Sequence, residues 1–268
     1  MLSRASDLLP ASLGERHKAP DTGAKAPSLP VFRQVFGTCE QHGQYPLNSL
    51  DSEGRERWRP DVCPACAKQS AVRQLMRRAE ISPRFEGCTF DGYAATAPDQ
   101  VQALEVCRDY ADSFAEALKV GRCLILRGNP GTGKNHLAVA ITKQVLAQGH
   151  TALHATAYEI VCRIRETWGR RQPGDQTEQD VTRALGDVDL LVIDEVGRQY
   201  GTEGEQIHLF HVIDHRYRLM KPTIVISNKE PEEIRAYLGE AAYDRLREGG
   251  GQMVHFDWES HRGKGGAA

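Results

Sequence analysis

A glycine-rich stretch that ends in a lysine occupies residues 128–134 and reads GNPGTGK. It follows an apolar run that predicts a strand over 122–127 and precedes a predicted helix over 134–148. Glycines let backbone N–H groups curl around a phosphate without Cβ clashes, and the start of a helix adds its positive end. This Walker A pattern predicts a nucleoside triphosphate site. Its residues are Gly128, Asn129, Pro130, Gly131, Thr132, Gly133, Lys134, Asn135 and His136.

The residue after the lysine departs from the Walker A pattern. A Ser or Thr hydroxyl is usual there as a ligand for Mg²⁺, but this chain has Asn135. An amide carbonyl is also a hard oxygen ligand, so Asn135 remains a predicted magnesium ligand. Its longer side chain could equally shift the metal ion and slow hydrolysis.

Two carboxylates close an apolar run over residues 189–195, which reads DLLVIDE. The run predicts a buried strand, and its end predicts a Walker B site beside the phosphates. We expect Asp194 to hold Mg²⁺ through water and Glu195 to orient and polarise the attacking water. A further apolar run, 223–227, ends in Asn228, which on its own would be a turn residue.

A Cys-x-x-His pair and a Cys-x-x-Cys pair lie in the first quarter of the chain. They are Cys39 with His42, and Cys63 with Cys66. Three thiolates and one imidazole suit tetrahedral Zn²⁺, and four protein ligands leave no position for water. The pattern predicts a structural zinc site that supplies the folding energy of a small polar module. The alternative is an accidental pairing of free thiols.

Short apolar runs that alternate with helical patterns must position these residues. From about residue 101 they predict a helix over 101–119 and an α/β fold with a parallel sheet sandwiched by helices. Before this fold begins, residues 31–80 predict the zinc module and, over 64–80, a basic helix. Residues 81–100 predict an irregular connector. We expect an ATPase domain over 81–262, with tails over 1–30 and 263–268. The first tail is either unstructured or a segment that orders on a partner.

Composition and charge indicate where the protein works and how it could contact DNA or a membrane. The 268 residues carry a formal net charge of −2, so any DNA contact must come from a local patch. No apolar run approaches the roughly 18 residues of a membrane span, and the start of the chain has no signal-peptide core. We therefore predict a cytoplasmic protein without a membrane partner. Seven cysteines, an odd number, argue against a disulfide framework.

Three stretches resemble the DnaC-type helicase loaders, a branch of the AAA+ ATPases. They are GTGKNHLA at 131–138, VDLLVIDE at 188–195 and FDWESHR at 256–262. The resemblance covers roughly residues 80–262. It implies an AAA+ core that uses ATP, binds a DnaB-type replicative helicase and passes it to single-stranded DNA. It also implies self-association, with ATP bound between neighbouring subunits.

The same resemblance implies roles for further residues. Asn228 matches sensor 1, which feels the γ-phosphate, and Arg262 matches sensor 2 within the same subunit. Arg245 matches an arginine finger that reaches into a neighbour's site. Residues Phe85 to Tyr93 are similar to the segment that closes over adenine.

The family places single-stranded DNA contacts after the second strand. Residues 163–171 there read RIRETWGRR, with a local surplus of three positive charges around a tryptophan. Arginines neutralise phosphates, and an exposed ring stacks on bases. The predicted DNA contacts are Arg163, Arg165, Trp168, Arg170 and Arg171. The alternative is an amphipathic helix whose tryptophan lies in the core.

Two other functions stay open from the residues. One is an IstB-type transposition regulator, which shares the ATPase class. The other is an adaptor in which ATP locks a scaffold without useful turnover, an option that Asn135 keeps alive. Whether the zinc module binds the helicase, an initiator protein or DNA is also open, although its N-terminal position favours the helicase.

Overall fold

The computed structural model describes residues 32–58, 62–169, 174–198 and 203–261, in two units that divide between Cys63 and Pro64. The predicted tails and the predicted site residues Arg170, Arg171 and Arg262 lie outside the described residues. Within those ranges, no helix has the length and apolar character needed to cross a bilayer.

The first unit contains two antiparallel strand pairs. Strand β1 (Phe36–Cys39) pairs with β2 (Gly43–Pro46), and β3 (Asn48–Leu50) pairs with β4 (Glu56–Trp58). The buried Asn48 organises the second pair, because its amide donates to Arg33 O at 2.9 Å and to the Glu56 carboxylate at 2.5 Å. The chain between the two ligand pairs therefore contains a hairpin, formed by β3 and β4.

The second unit is a parallel sheet between helices. Its strands are β5 (Leu124–Gly128), β6 (Ala152–Thr156), β7 (Leu190–Val196), β8 (Thr223–Ser227) and β9 (Gln252–Phe256). Its α-helices are α1 (Pro64–Arg78), α2 (Pro98–Asp112), α3 (Phe114–Val120), α4 (Lys134–Ala147), α5 (Ala157–Glu166), α6 (Glu178–Asp187), α7 (Glu203–Arg218), α8 (Pro231–Leu238) and α9 (Glu240–Arg247). The strand order is β6-β7-β8-β5-β9, and every pairing is parallel. The predicted α/β class is confirmed.

Apolar residues cover both faces of this sheet. Along β5, Leu124 and Leu126 enter the core that α2 and α4 share, whereas Ile125 enters the core formed with α5 to α9. Successive side chains on a strand point to opposite faces, so a strand buried on both faces needs a continuous apolar run. That need explains the unbroken runs in the sequence.

The predicted helix over 101–119 is wrong as a single element. The structure has α2 and α3, which meet at Ser113. The Ser113 hydroxyl donates to Asp109 O at 2.7 Å, and its backbone (φ −95°, ψ 23°) leaves the helical range. A serine that bonds back to the preceding turn competes with the helix ladder, which accounts for the break.

Helix α1, predicted as part of the segment that carries the metal module, contacts α4 and β6 of the second unit. The residue after its end, Ala79, is fully buried, and its carbonyl accepts from His154 N on β6 at 2.9 Å. The basic helix therefore covers one edge of the sheet.

A buried arginine joins several segments at the opposite end of the sheet from the glycine-rich loop. Arg216 of α7 is 1% exposed, and its guanidinium donates to the carbonyls of Leu185, Gly186, Val188, Asp189 and Pro222 and to the Thr223 hydroxyl. Burial lowers the pKa of Arg216 to about 10, which still leaves it charged at neutral pH.

Candidate nucleotide-binding site and metal centre

The glycine-rich loop joins β5 to α4 and needs its glycines for close packing. Gly128, Gly131 and Gly133 have φ values of 132°, 76° and 98°, which side-chain-bearing residues rarely adopt. A Cβ on Gly128 would lie 2.4 Å from Phe256 O, and one on Gly133 would lie 2.5 Å from the Tyr93 ring.

Lys134 begins α4 and is 5% exposed. Its Nζ donates to Gly128 O and Asn129 O, both at 2.7 Å, and the Thr132 hydroxyl donates to Asn129 O at 2.8 Å. The lysine ammonium and the N-terminal end of α4 therefore place positive charge at the same point. The loop conformation and this charge fit a phosphate chain.

The acidic pair lies at the end of β7. The pairing of β7 with β8 shifts register between Ile193 and Val196, and Glu195 has a φ of 58°. The bulge re-aims the chain where the two carboxylates emerge. Asp194 accepts from Asn135 Nδ2 and from Glu195 N, each at 2.6 Å, and Glu195 forms an ion pair with Arg198.

The sheet order places β8 between β5 and β7, so Asn228 lies between the loop and the acidic pair. These elements line one cavity of about 540 Å³. Its lining residues are Arg84, Phe85, Cys88, Pro130, Gly131, Gly133, Lys134, Asn135, His136, Asp194, Glu195, Arg198, Ile226, Ser227 and Asn228. Arg84 and Arg198 belong to no motif or predicted site segment, so nothing in the sequence marks them as cavity residues.

The segment from Phe85 to Tyr93 packs beside the loop. His136 Nε2 lies 2.7 Å from Thr89 O, and the His136 and Tyr93 rings meet edge to face at 5.5 Å. Lys143 of α4 donates to the carbonyls of Glu86 and Cys88. Phe85 and Cys88 line the cavity, so this segment forms part of its wall.

The segment after β9 is joined to the loop from the other side. Asn129 N donates to Phe256 O at 2.9 Å, and the Asn129 amide donates to Asp257 O at 3.0 Å. Asp257 also receives two hydrogen bonds from the buried Arg127 at 2.7 and 2.9 Å. His261 N donates to Gly131 O at 2.9 Å, so the residue before Arg262 touches the loop.

Arg245 lies away from this cavity, against helix α7 of its own chain. Its Nη2 is 3.0 Å from Asp214 Oδ1, and its guanidinium lies over the rings of Phe210 and Tyr217 at 4.8 and 5.5 Å. Only 26% of the side chain is exposed. Its neighbour Arg247 is exposed on α9.

The predicted DNA stretch begins in α5 and continues beyond its end. Arg163 pairs with Glu80, and Arg165 lies 3.8 Å from Glu205. Trp168 is 58% exposed and leans against the His208 ring at 5.6 Å. The alternative of a core tryptophan is therefore excluded.

The two ligand pairs meet at one point. The ligand atoms of Cys39, His42, Cys63 and Cys66 all lie within 4.8 Å of one another. His42 Nδ1 is 3.6 Å from Cys39 Sγ and 3.7 Å from Cys63 Sγ. Tetrahedral zinc with Zn–S of about 2.3 Å separates its ligands by about 3.6–3.8 Å, so the four residues fit a metal ion. All seven cysteines are described, and none forms a disulfide.

Comparison with known proteins agrees with this geometry. The IstB-like ATP binding protein family matches residues 67–264. The replicative helicase loader DnaC of Escherichia coli is 34% identical over 193 residues, which cover 72% of this chain and 76% of that protein. The Escherichia coli protein YdaV is 34% identical over 196 residues, which cover 73% of this chain and 76% of that protein.

Two solved structures share the fold. A crystal structure of the DnaC helicase loader superposes with a TM-score of 0.58 at 21% identity, covering 66% of this chain and all of that one. The structure of the replication initiator DnaA, bound to AMPPCP and single-stranded DNA, has a TM-score of 0.55 at 22% identity. The match covers 67% of this chain and 52% of that one. With the family match over residues 67–264, these findings show that the chain belongs to the IstB/DnaC-like family of AAA+ ATP-binding proteins.

Proposed function

We propose that this protein is an ATPase that loads a DnaB-type replicative helicase onto single-stranded DNA. One observation carries the proposal: Lys134, Asp194, Glu195 and Asn228 line one cavity in a chain 34% identical to a helicase loader. Bound Mg²⁺ would neutralise the phosphates, and Asn135 and Asp194 are the oxygen-bearing residues that would hold it. Glu195 would orient the attacking water once its carboxylate leaves Arg198.

A pull-down with a replicative helicase tests the partner. The wild-type protein should retain the helicase more strongly with ATP than without it, and Lys134→Ala should lose that difference because it loses the charge on the phosphates. If both proteins retained the same amount of helicase in the presence of ATP, the helicase would not be a partner whose binding depends on ATP. Retention of a transposase instead of the helicase would favour the IstB-type alternative.

A second candidate is the adaptor that binds ATP without useful turnover. The observation in its favour is the hydrogen bond from the Asn135 amide to Asp194, which occupies one of the two carboxylate oxygens available to Mg²⁺. Measuring ATP hydrolysis with and without single-stranded DNA separates the two. Turnover that vanishes in Glu195→Gln supports the enzyme, and indistinguishable baselines support the adaptor.

We also propose that the ATP site is shared between subunits, with Arg245 completing a neighbour's site. That role requires its guanidinium to leave Asp214. Mixing Arg245→Ala protein with Lys134→Ala protein is the sharpest test. Restored hydrolysis in the mixture supports a shared site, whereas two inactive components that stay inactive together count against it.

For single-stranded DNA, the exposed Trp168 is the residue we propose to stack on a base, with Arg163 and Arg165 beside it. Losing one stacked base costs about 1–3 kcal/mol of binding free energy. Trp168→Ala should therefore weaken DNA binding at least fivefold. The matched control is Trp58→Ala, an exposed tryptophan in the first unit.

Finally, we propose that Cys39, His42, Cys63 and Cys66 hold a structural zinc ion. The distances around His42 fit a tetrahedral site, and the module has few buried apolar residues of its own. Docking of the helicase on this module is part of the same proposal.

A further inference from the structure

Two aromatic side chains from distant parts of the chain meet at one carbonyl of the glycine-rich loop. Tyr93 Oη donates to Thr132 O at 3.1 Å, and Trp258 Nε1 donates to the same oxygen at 3.0 Å. Tyr93 lies before α2, whereas Trp258 lies after β9. Both rings pack in the core on that face of the sheet, and Tyr93 is 8% exposed.

A peptide group is planar, so its carbonyl and its N–H point in opposite directions when the bond is trans. The described residues contain no cis peptide bond. Fixing the Thr132 carbonyl therefore fixes the direction of the Gly133 N–H. The Tyr93 ring also limits movement of Gly133, because a Cβ there would lie 2.5 Å from it.

The preceding peptide group is held in the same way. Gly131 O accepts from His261 N at 2.9 Å, which fixes the direction of the Thr132 N–H. The three donors, Tyr93, Trp258 and His261, do not line the cavity, whereas Lys134 does. Two successive amides are thus aimed by residues that do not line that cavity.

We propose that Tyr93 and Trp258 are positioning residues that aim the Gly133 amide at the phosphate chain of a bound nucleotide. The proposal rests on the nucleotide site proposed above and adds to it two residues outside the Walker motifs. A loop held in its binding conformation loses less entropy when the ligand binds.

The protonation of Tyr93 supports this role. Burial, the main cause, raises the pKa of the Tyr93 phenol well above its ordinary value. The hydroxyl therefore keeps its proton throughout the physiological range and can always donate to Thr132 O.

Binding of ADP by the full chain tests the proposal. Tyr93→Phe removes one hydroxyl and leaves the ring, and Trp258→Phe removes the indole donor. Each single change should weaken ADP binding about three- to tenfold, since a misaimed amide forms a poorer hydrogen bond to a charged phosphate. In the double variant, ADP binding should weaken by a factor larger than the product of the two single factors, because each donor holds the carbonyl when the other is absent.

The matched control is Tyr110→Phe. Tyr110 is also buried, and its hydroxyl also donates to a backbone carbonyl, Arg122 O at 2.9 Å, away from the loop. This variant should lose comparable thermal stability and keep its ADP affinity. An NMR spectrum of ¹⁵N-glycine protein adds a second readout: ADP should shift the Gly133 amide proton less in Tyr93→Phe than in the wild type.

The outcomes separate the two proposals. If Tyr93→Phe binds ADP as tightly as Tyr110→Phe and its Gly133 shift is unchanged, the positioning role is overturned while the nucleotide site stands. If the wild-type protein does not bind ADP at all, the nucleotide site itself is wrong and the positioning role falls with it.

Discussion

At position 135 an amide donates to the carboxylate with which it would share a metal ion. Asn135→Thr removes the N–H that occupies Asp194 Oδ2 and supplies a hydroxyl instead. We expect a several-fold lower half-saturating concentration of Mg²⁺ and a higher hydrolysis rate, because the carboxylate is then available to the hydrated ion. Steady-state hydrolysis across a magnesium titration measures both.

The control for this change is Lys119→Thr, on the surface of α3 in an ion pair with Glu116. It should leave the magnesium dependence as in the wild type. An unchanged magnesium dependence in Asn135→Thr would show that the amide does not hold Asp194 back.

Single residues were predictable where a motif fixes their type. The glycines, Lys134, Asp194 and Glu195 could be read from the sequence because backbone geometry and charge allow few other residues there. Trp258 appeared only within a family resemblance, and its contact with Thr132 could not be predicted. Such a contact depends on where β9 places its last residue, which no local pattern encodes.

At the scale of elements, the fold of the first unit depends on the four residues proposed to bind zinc. Cys63→Ser removes one of four, so we expect zinc release and loss of the β1–β2 and β3–β4 pairs, since few buried apolar side chains remain to hold them. The second unit should keep its ATP binding. Metal analysis of the purified protein and nucleotide titration check both parts.

Cys162→Ser is the matched control, because Cys162 lies on α5 outside the ligand cluster. It should keep a full equivalent of zinc. Equal metal content in both variants would remove the zinc proposal.

Asp189 joins three strands where they begin. It accepts from Lys221, next to β8, at 2.6 Å and from Thr151, next to β6, at 2.9 and 3.0 Å. Burial acts to raise its pKa, but these hydrogen bonds outweigh burial, and the pKa lies below its ordinary value.

A lowered carboxyl pKa gives stability that is complete above the unfolded-state pKa, about 3.9, and is lost as the pH falls through the folded-state pKa. The free energy of unfolding should therefore fall below about pH 4. Asp189→Asn should flatten that fall in urea titrations at several pH values, whereas the exposed Glu232→Gln should leave it steep. If the free energy of unfolding fell equally steeply with pH in both variants, Asp189 would not be the source of the fall.

Among the elements, the strands buried on both faces were easy to predict, because β5, β7 and β8 need continuous apolar runs. The edge strands β6 and β9 were missed. Each contains a histidine and is partly exposed, so neither shows the unbroken run. The break at Ser113 was missed because the apolar spacing continues through it.

For the molecule as a whole, Arg216 connects the α6–β7 junction to the start of β8. Arg216→Met would leave several buried carbonyls without donors, so we expect a loss of about 3 kcal/mol of unfolding free energy. That corresponds to roughly 6–12 °C in melting temperature for a domain of this size.

Thermal unfolding of the purified variants measures this loss. Arg218→Met is the control, because Arg218 is an exposed neighbour whose side chain is 66% accessible. Its melting temperature should change little. A similarly small change in Arg216→Met would show that water replaces the lost donors.

The position of β9 beside β5 has a consequence for synthesis. The ribosome releases the glycine-rich loop well over a hundred residues before Phe256, Trp258 and His261, which complete the wall behind it. Once residue 195 has been made, the nascent chain has the lysine and the acidic pair but not yet the residues that support the loop. We therefore expect nucleotide binding to be delayed until residues 252–261 have been synthesised, so that a ribosome stalled before residue 252 would carry a chain without the finished pocket.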